Sequence, residues 1–290
     1  MSLHVQGEIA SQPEVWHYAA ELAPSVSEAL PAAGERVAFT GCGTSWFVSM
    51  AVAMRRESQG LGESDAHVAS EYPLGRRYDR VVAISRSGTT TEVIDLLERV
   101  DVPTTLITAV PDSPAGARAD QVILLPEADE ESVVQTRFAT SVIALLRASM
   151  GEDLGAAIED ARRALEIDLS PYLSADQCTF VGGGWAVGLA HEAALKAREA
   201  AQLWTESYPA MDYRHGPIAI AQPGRLVWSL GGTPVGLTDD VAKTGALFIE
   251  HDLDPLARLI VAQRFAIARA EAQGLDPDRP RSLTRSVILS

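Results

Sequence analysis

The chain has 290 residues, 47% of them hydrophobic, with 24 basic against 39 acidic side chains and a formal net charge of −15. That length suggests two domains with ample apolar material for their cores, and a pI near 4.8 argues against nucleic-acid binding, which rests on clustered Lys and Arg. No apolar run is long enough to span a bilayer, the start Met1-Ser2-Leu3-His4-Val5-Gln6-Gly7-Glu8 lacks the order of a signal peptide, and Cys42 and Cys178 suggest neither a disulfide framework nor a thiolate metal cage. The expectation is a cytoplasmic protein with no metal or redox cofactor.

In chain order, a helical segment leads into Arg36-Val37-Ala38-Phe39-Thr40, which reads as a strand, and residues 45–59 as an amphipathic helix. Residues 80–84, 104–108 and 121–125 read as further strands, with helices over 91–100 and 134–150. These strands are continuous apolar runs, which implies burial on both faces in a parallel sheet wrapped by helices.

An acidic helix over 152–168 and the break at Ser170-Pro171 open the second half. Residues 178–181 read as a strand and 186–205 as a long Ala-rich helix. Phe39-Thr40-Gly41-Cys42-Gly43-Thr44-Ser45 and Phe180-Val181-Gly182-Gly183-Gly184-Trp185-Ala186 look like one strand–glycine–helix device used twice, about half the chain apart. Residues 226–230 read as a strand, followed by Gly231-Gly232-Thr233-Pro234 and a further extended run at Val235-Gly236-Leu237. A parallel crossover needs a dozen or so residues, so no helix is expected there and the second domain reads as trimmed. A helix over 255–273 and a tail over 275–290 close the chain. Domains are expected at 1–150 and 151–290.

The chemistry points to two turns, Gly41-Cys42-Gly43-Thr44-Ser45 and Ser85-Arg86-Ser87-Gly88-Thr89-Thr90, each between a strand and a helix. Glycines allow tight turning, helix N-termini favour anions, and the hydroxyls of Thr44, Ser45, Ser85, Ser87 and Thr90 can donate to phosphate oxygens. One such turn is most simply a helix cap; two at one edge of a sheet favour phosphate. Neither is a nucleotide signature, since Trp46 stands where GxGxxG needs its third glycine and no GKS or GKT follows.

Further along, His191, Glu192, Lys196, Glu199 and Glu206 are read on one helix. Leu195 rules out an HExxH zinc site. Glu192, Lys196 and Glu199 share a helical face, ordinarily a solvated ion-pair stripe worth a few tenths of a kcal/mol. The alanines at 193, 194, 197, 200 and 201 point instead to close packing, where burial would act on the carboxylates. His215 precedes Gly216-Pro217 at a turn, as either a surface histidine or a catalytic one. Cys42 has no activating histidine and reads as a packing residue.

Together with Arg279-Pro280-Arg281-Ser282-Leu283-Thr284-Arg285-Ser286-Val287, these ordered motifs resemble the sugar isomerase (SIS) family, in particular the isomerase half of glutamine–fructose-6-phosphate aminotransferase and related phosphosugar isomerases and amino-sugar-phosphate deaminases. The short stretch before Val37 leaves no room for a glutaminase half in this sequence. The resemblance implies α/β architecture with two doubly wound parallel-sheet SIS domains in three αβα layers, the second trimmed. It also implies a homodimer with active sites near the subunit interface. By matching position it assigns the sugar phosphate to Thr44, Ser45, Ser85, Ser87 and Thr90, general-base proton transfer between C1 and C2 to Glu199, support of the developing charge to Lys196, and ring opening to His215 of a neighbouring subunit.

Two positions depart from the aminotransferase. Its Schiff-base lysine is Arg285 here, which stays protonated and is no nucleophile, leaving Arg285 a candidate substrate contact. Arg86 replaces an uncharged amide and is placed with the phosphate-binding residues as an added cation, the alternative being half of a salt bridge. The expected function is aldose–ketose isomerisation of a hexose 6-phosphate, an amino sugar phosphate by preference, with or without loss of ammonia, through an enediol or enolamine. The alternatives are an aminotransferase-type isomerase using free ammonia, which Arg285 disfavours, and a non-catalytic phosphosugar sensor, which retention of Glu199, Lys196 and His215 disfavours.

Overall fold

The computed structural model describes residues 3–289. In chain order it contains α1 (His4–Ala10), α2 (Gln12–Leu22), β1 (Val37–Gly41), α3 (Thr44–Ser58), β2 (Ser64–Val68), β3 (Arg80–Ile84), α4 (Thr91–Leu97), β4 (Thr104–Thr108), β5 (Gln121–Leu124) and α5 (Arg137–Ser149). There follow α6 (Gly155–Ala164), β6 (Gln177–Gly182), α7 (Ala186–Ala201), β7 (Trp204–Pro209), β8 (Arg225–Ser229), α8 (Leu237–Thr244), β9 (Leu247–Ile249) and α9 (Pro255–Ala272).

The chain divides into two compact units that are not the contiguous halves 1–150 and 151–290. The first unit comprises Glu14–Glu130, Arg137–Leu154 and the residues from Thr284 onward. The second comprises the residues through Pro13, Glu131–Thr136 and Gly155–Leu283. Each end of the chain is therefore counted with the unit built mainly from the other half.

The first unit's sheet has the order β2-β1-β3-β4-β5, parallel throughout. β1 and β4 are buried at every position, as strands covered on both faces must be. Ala83 pairs with Leu106 across β3 and β4, and α4 packs Val93, Leu96 and Leu97 into the same cluster. Each of those three side chains contributes about 1.5–3 kcal/mol by leaving water.

The second unit's sheet has the order β7-β6-β8-β9, again parallel, repeating the first four positions of the first sheet and lacking a fifth strand. The expected α/β class and the trimmed second domain are thus what the structure has. The repeat extends to backbone detail. Gly43 and Gly184 sit at φ 55° and 56°, a region other residues rarely enter. A Cβ on Gly41 would lie 2.5 Å from Ser45 Cβ, and one on Gly182 would lie 2.2 Å from the Ala186 carbonyl oxygen. Each of these glycines lets its strand run directly beneath the next helix.

Two expectations are corrected. The helix read over 186–205 stops at Ala201, where Gln202 takes the left-handed conformation, and 204–209 form β7. Glu206 therefore lies on a strand rather than on α7. No helix was expected after Leu230, yet α8 makes that crossover, bounded by Gly236 and Gly245, both at φ 80°. Val235, read as part of a strand, is fully exposed.

Candidate active site

In a doubly wound sheet, ligands bind outside the carboxyl ends of the strands where the strand order reverses. In the first unit that switch point lies between β1 and β3, and the turns leaving those strands are the two hydroxyl-rich segments. Thr44, Ser45, Ser85, Arg86 and Ser87 are all buried there, with Thr90 partly so. Thr90 precedes α4 but its side chain makes no capping hydrogen bond, so capping does not account for that hydroxyl.

The loop's shape is set by its own serines. Ser85 Oγ accepts from the Gly88 amide and Ser87 Oγ from the Thr89 amide, each at 3.2 Å. Gly88 is at φ 62°, and a Cβ there would meet Ser113 Oγ at 2.1 Å. Thr89 Oγ1 lies 2.8 Å from Ser87 Oγ and 2.8 Å from Ser286 Oγ, making a row of three hydroxyls. Because Ser85 and Ser87 are used as acceptors, their own O–H groups can turn toward an anion.

The equivalent turns of the second unit meet backbone to backbone. A Cβ on Gly183 would lie 2.6 Å from the Gly232 carbonyl oxygen, and one on Gly232 would lie 2.7 Å from Gly183 Cα. Glycine is packed on glycine at that switch point, and the hydroxyls of its second turn, Ser229 and Thr233, bond to each other at 2.6 Å. The two switch points thus share a strand order and differ in the turns that line them.

Of the two readings of Arg86, the structure shows the salt bridge. Arg86 Nη1 lies 3.3 Å from Glu130 Oε2, with both side chains sequestered from solvent. Arg285, on the segment that follows the second unit in sequence, directs one guanidinium nitrogen to the Asp129 carboxylate and the other to the Glu130 carbonyl. Glu130, Asp129, Thr89 and Ser286 were not singled out from sequence. Thr89 and Ser286 lie within the loop and C-terminal motifs, but nothing in the acidic run around Glu130 distinguishes it.

In the second unit, α7 carries the acid–base cluster. Lys196 Nζ donates to Glu199 Oε2 at 2.5 Å and lies 3.4 Å from Glu192 Oε1. Lys196 and Glu192 are buried, whereas Glu199 keeps 19% of its side chain exposed. The alanine-rich helix is what permits this, since Ala193, Ala194, Ala197, Ala200 and Ala201 are all buried around the charges. The arrangement is not a solvated stripe but a sequestered ammonium with one carboxylate beneath it and one at the surface. Such a carboxylate can take a carbon-bound proton while the ammonium offsets the charge that develops.

On the same helix, His191 Nδ1 lies 2.8 Å from Ser207 Oγ, and burial, followed by the nearby Arg198 charge, lowers its pKa. His215 is exposed at the turn between the short 3₁₀ segments Asp212–Arg214 and Pro217–Ile220. Burial, followed by the Glu92 charge, pushes the Cys42 thiol up to about 11, in keeping with a packing role. Among the described residues no group of three or more His, Cys, Asp or Glu could hold a metal ion, and no helix is long and apolar enough to cross a membrane.

The chain is also similar to known proteins. Residues 32–149 match the SIS domain. The glutamine–fructose-6-phosphate aminotransferase (isomerizing) of Methanothermobacter thermautotrophicus is 29% identical over 88% of this chain and 52% of its own length. The chain thus spans about half the length of the curated relatives it matches. Among solved structures, glucosamine-6-phosphate deaminase from Thermotoga maritima superposes with a TM-score of 0.82 at 25% identity, covering 99% of this chain and 100% of that one. The C-terminal domain of glucosamine–fructose-6-phosphate aminotransferase from Francisella tularensis has the same TM-score at 20% identity, covering 97% and 99%, and shares the fold. Residues 32–149 are thus similar to the SIS domain, and the proteins that the chain resembles over most of its length include an isomerizing aminotransferase and a glucosamine-6-phosphate deaminase.

Proposed function

We propose that this protein is a phosphosugar aldose–ketose isomerase that releases ammonia from an amino-hexose 6-phosphate. The observation that carries the reading is the 2.5 Å contact between the buried Lys196 ammonium and the partly exposed Glu199 carboxylate. A deaminase that matches the chain end to end supports it further.

In this reading the hydroxyls of Thr44, Ser45, Ser85, Ser87 and Thr90 hold the phosphate, and His215 assists ring opening. In the open-chain amino aldose, Glu199 removes the proton from C2 as O1 takes up a proton, giving an enolamine, and returns its proton to C1 as the nitrogen gives one up. The C2 imine so formed takes up water and expels ammonia, leaving the ketose phosphate. Lys196 offsets the negative charge that builds up as the C2 proton leaves. Arg285 is no substitute for a Schiff-base lysine, because its guanidinium stays protonated and is engaged with Asp129 and Glu130. Hydrolysis of the imine needs no such residue. The exposure of His215 suits a homodimer in which each subunit lends this residue to its neighbour.

Glucosamine 6-phosphate, galactosamine 6-phosphate and fructose 6-phosphate are to be incubated with the protein while ammonia and ketose are measured. Equal amounts of ammonia and ketose from one amino sugar are expected. Interconversion without ammonia would leave a plain isomerase, and amino sugar formed only when ammonia is supplied would favour the aminotransferase-type reaction. Binding without turnover across the panel would make the protein a phosphosugar sensor.

A further inference from the structure

Arg86 stands between Ser85 and Ser87 in the hydroxyl loop, yet its guanidinium is spent on a carboxylate in the interior. Both oxygens of that carboxylate are used, since Glu130 Oε2 faces Arg86 Nη1 at 3.3 Å and Oε1 accepts from the Arg137 amide at 2.8 Å. A sequestered ion pair returns little stability for the desolvation it costs, and this one has a second connection. Arg86 Nη2 reaches the Arg285 carbonyl at 3.4 Å, while the Arg285 guanidinium is gripped by the Glu130 carbonyl and the Asp129 carboxylate. Residue 285 is thus held at both its backbone and its side chain.

The residues that follow lie along the loop. Ser286 Oγ is 2.8 Å from Thr89 Oγ1, the Thr91 amide donates to the Val287 carbonyl at 3.3 Å, and the Leu289 amide donates to Thr91 Oγ1 at 2.9 Å. All these residues belong to the first unit.

We propose that Arg86 and Glu130 are positioning residues that, through Arg285, seat residues 285–289 against residues 87–91 and so add the Ser286 hydroxyl to the donors that receive a phosphate monoester. The proposal rests on the phosphate-binding reading of the loop. Ser87 and Ser286 each bond to Thr89. A phosphate dianion would turn their O–H groups toward itself, as a stronger acceptor than a neutral hydroxyl.

The test uses inorganic phosphate as the probe, titrated calorimetrically into the full chain, with tryptic cleavage after Arg285 followed by mass spectrometry. Ser286→Ala removes one donor without disturbing the interior and is expected to weaken phosphate binding about tenfold, as loss of one hydrogen bond to a charged group does. The double variant Arg86→Met/Glu130→Leu removes both charges together, so that neither is stranded in the interior. It is expected to weaken phosphate binding at least as much and to speed cleavage after Arg285, which phosphate should slow in the wild type. Wild-type phosphate affinity in Ser286→Ala, or unchanged cleavage in the double variant, would overturn the proposal while leaving the loop's phosphate role intact. A wild-type protein that binds no phosphate would instead overturn the reading of the loop, and this proposal with it.

Discussion

Lys196 Nζ stands between two carboxylates, 2.5 Å from Glu199 and 3.4 Å from Glu192, on consecutive turns of one buried helix. The two carboxylates are not equivalent, because Glu192 is sequestered and Glu199 reaches the surface. Glu199 is the more accessible of the two and, in the proposed reaction, the one that exchanges a proton with a ligand.

Substitution should separate the two roles. Glu199→Gln keeps the shape and the Glu192–Lys196 pair, so turnover of the amino-sugar phosphate should fall by about 10²–10⁴ while the denaturant midpoint barely moves. Lys196→Met removes the interior ammonium that faces both carboxylates and should cost about 3–5 kcal/mol of stability as well as activity. Steady-state kinetics and urea unfolding on the two variants check this, and undiminished turnover in Glu199→Gln would remove it as general base.

The loop glycines should also rank by environment. Gly88 combines φ 62° with a neighbour, Ser113 Oγ, 2.1 Å from where a Cβ would stand. Gly43 has a similar φ but nothing within 4 Å. Gly88→Ala is therefore expected to cost about 2–4 kcal/mol, from backbone strain and overpacking together. Gly43→Ala should cost about 1–3 kcal/mol from strain alone. Equal midpoints for the two in urea would show that the contact with Ser113 relaxes freely.

Cys42 tests whether the glycine loop hides a nucleophile. With its thiol pushed up to about 11 from an ordinary 9.0, the thiolate fraction at pH 8 is about 100-fold below that of a free cysteine, and the thiolate is the reactive species. Alkylation by iodoacetamide at pH 8 should be slower than that of free cysteine by at least this factor, and Cys42→Ala should retain turnover. Rapid labelling of Cys42 would assign it a chemical role.

The sequence disclosed most where burial is two-sided. β1 and β3 carry near-continuous apolar runs and β4 a β-branched Thr-Thr-Leu-Ile-Thr stretch, and all three are read within a residue or so of their observed limits. Edges were harder. Ser64-Asp65-Ala66-His67-Val68 is an edge strand of mostly half-exposed residues, with no apolar run to betray it. β7 follows α7 after a left-handed Gln202, where no glycine signals the stop. The hydroxyl turns were legible because the strand–glycine–helix order is local. Glu130 and Ser286 were not, since Glu130 meets Arg86 across 44 positions of sequence and Ser286 meets Thr89 across 197.

Stability should fall on mild acidification, and three histidines set the window. Burial is the largest cause lowering the pKa of His67, His191 and His251. Their folded values lie below the ordinary 6.5, so between the two the unfolded chain binds more protons than the folded one. Stability then rises with pH. The contribution of the neutral rings is fully present above about pH 6.5 and is lost as pH falls through that value toward the folded pKa values. Urea midpoints should accordingly be higher at pH 7.5 than at pH 5.5, and the difference should shrink when all three are replaced by Gln. An unchanged pH dependence in the triple variant would show that protonating these rings costs the fold nothing, and that His191 can take a proton while still bonded to Ser207.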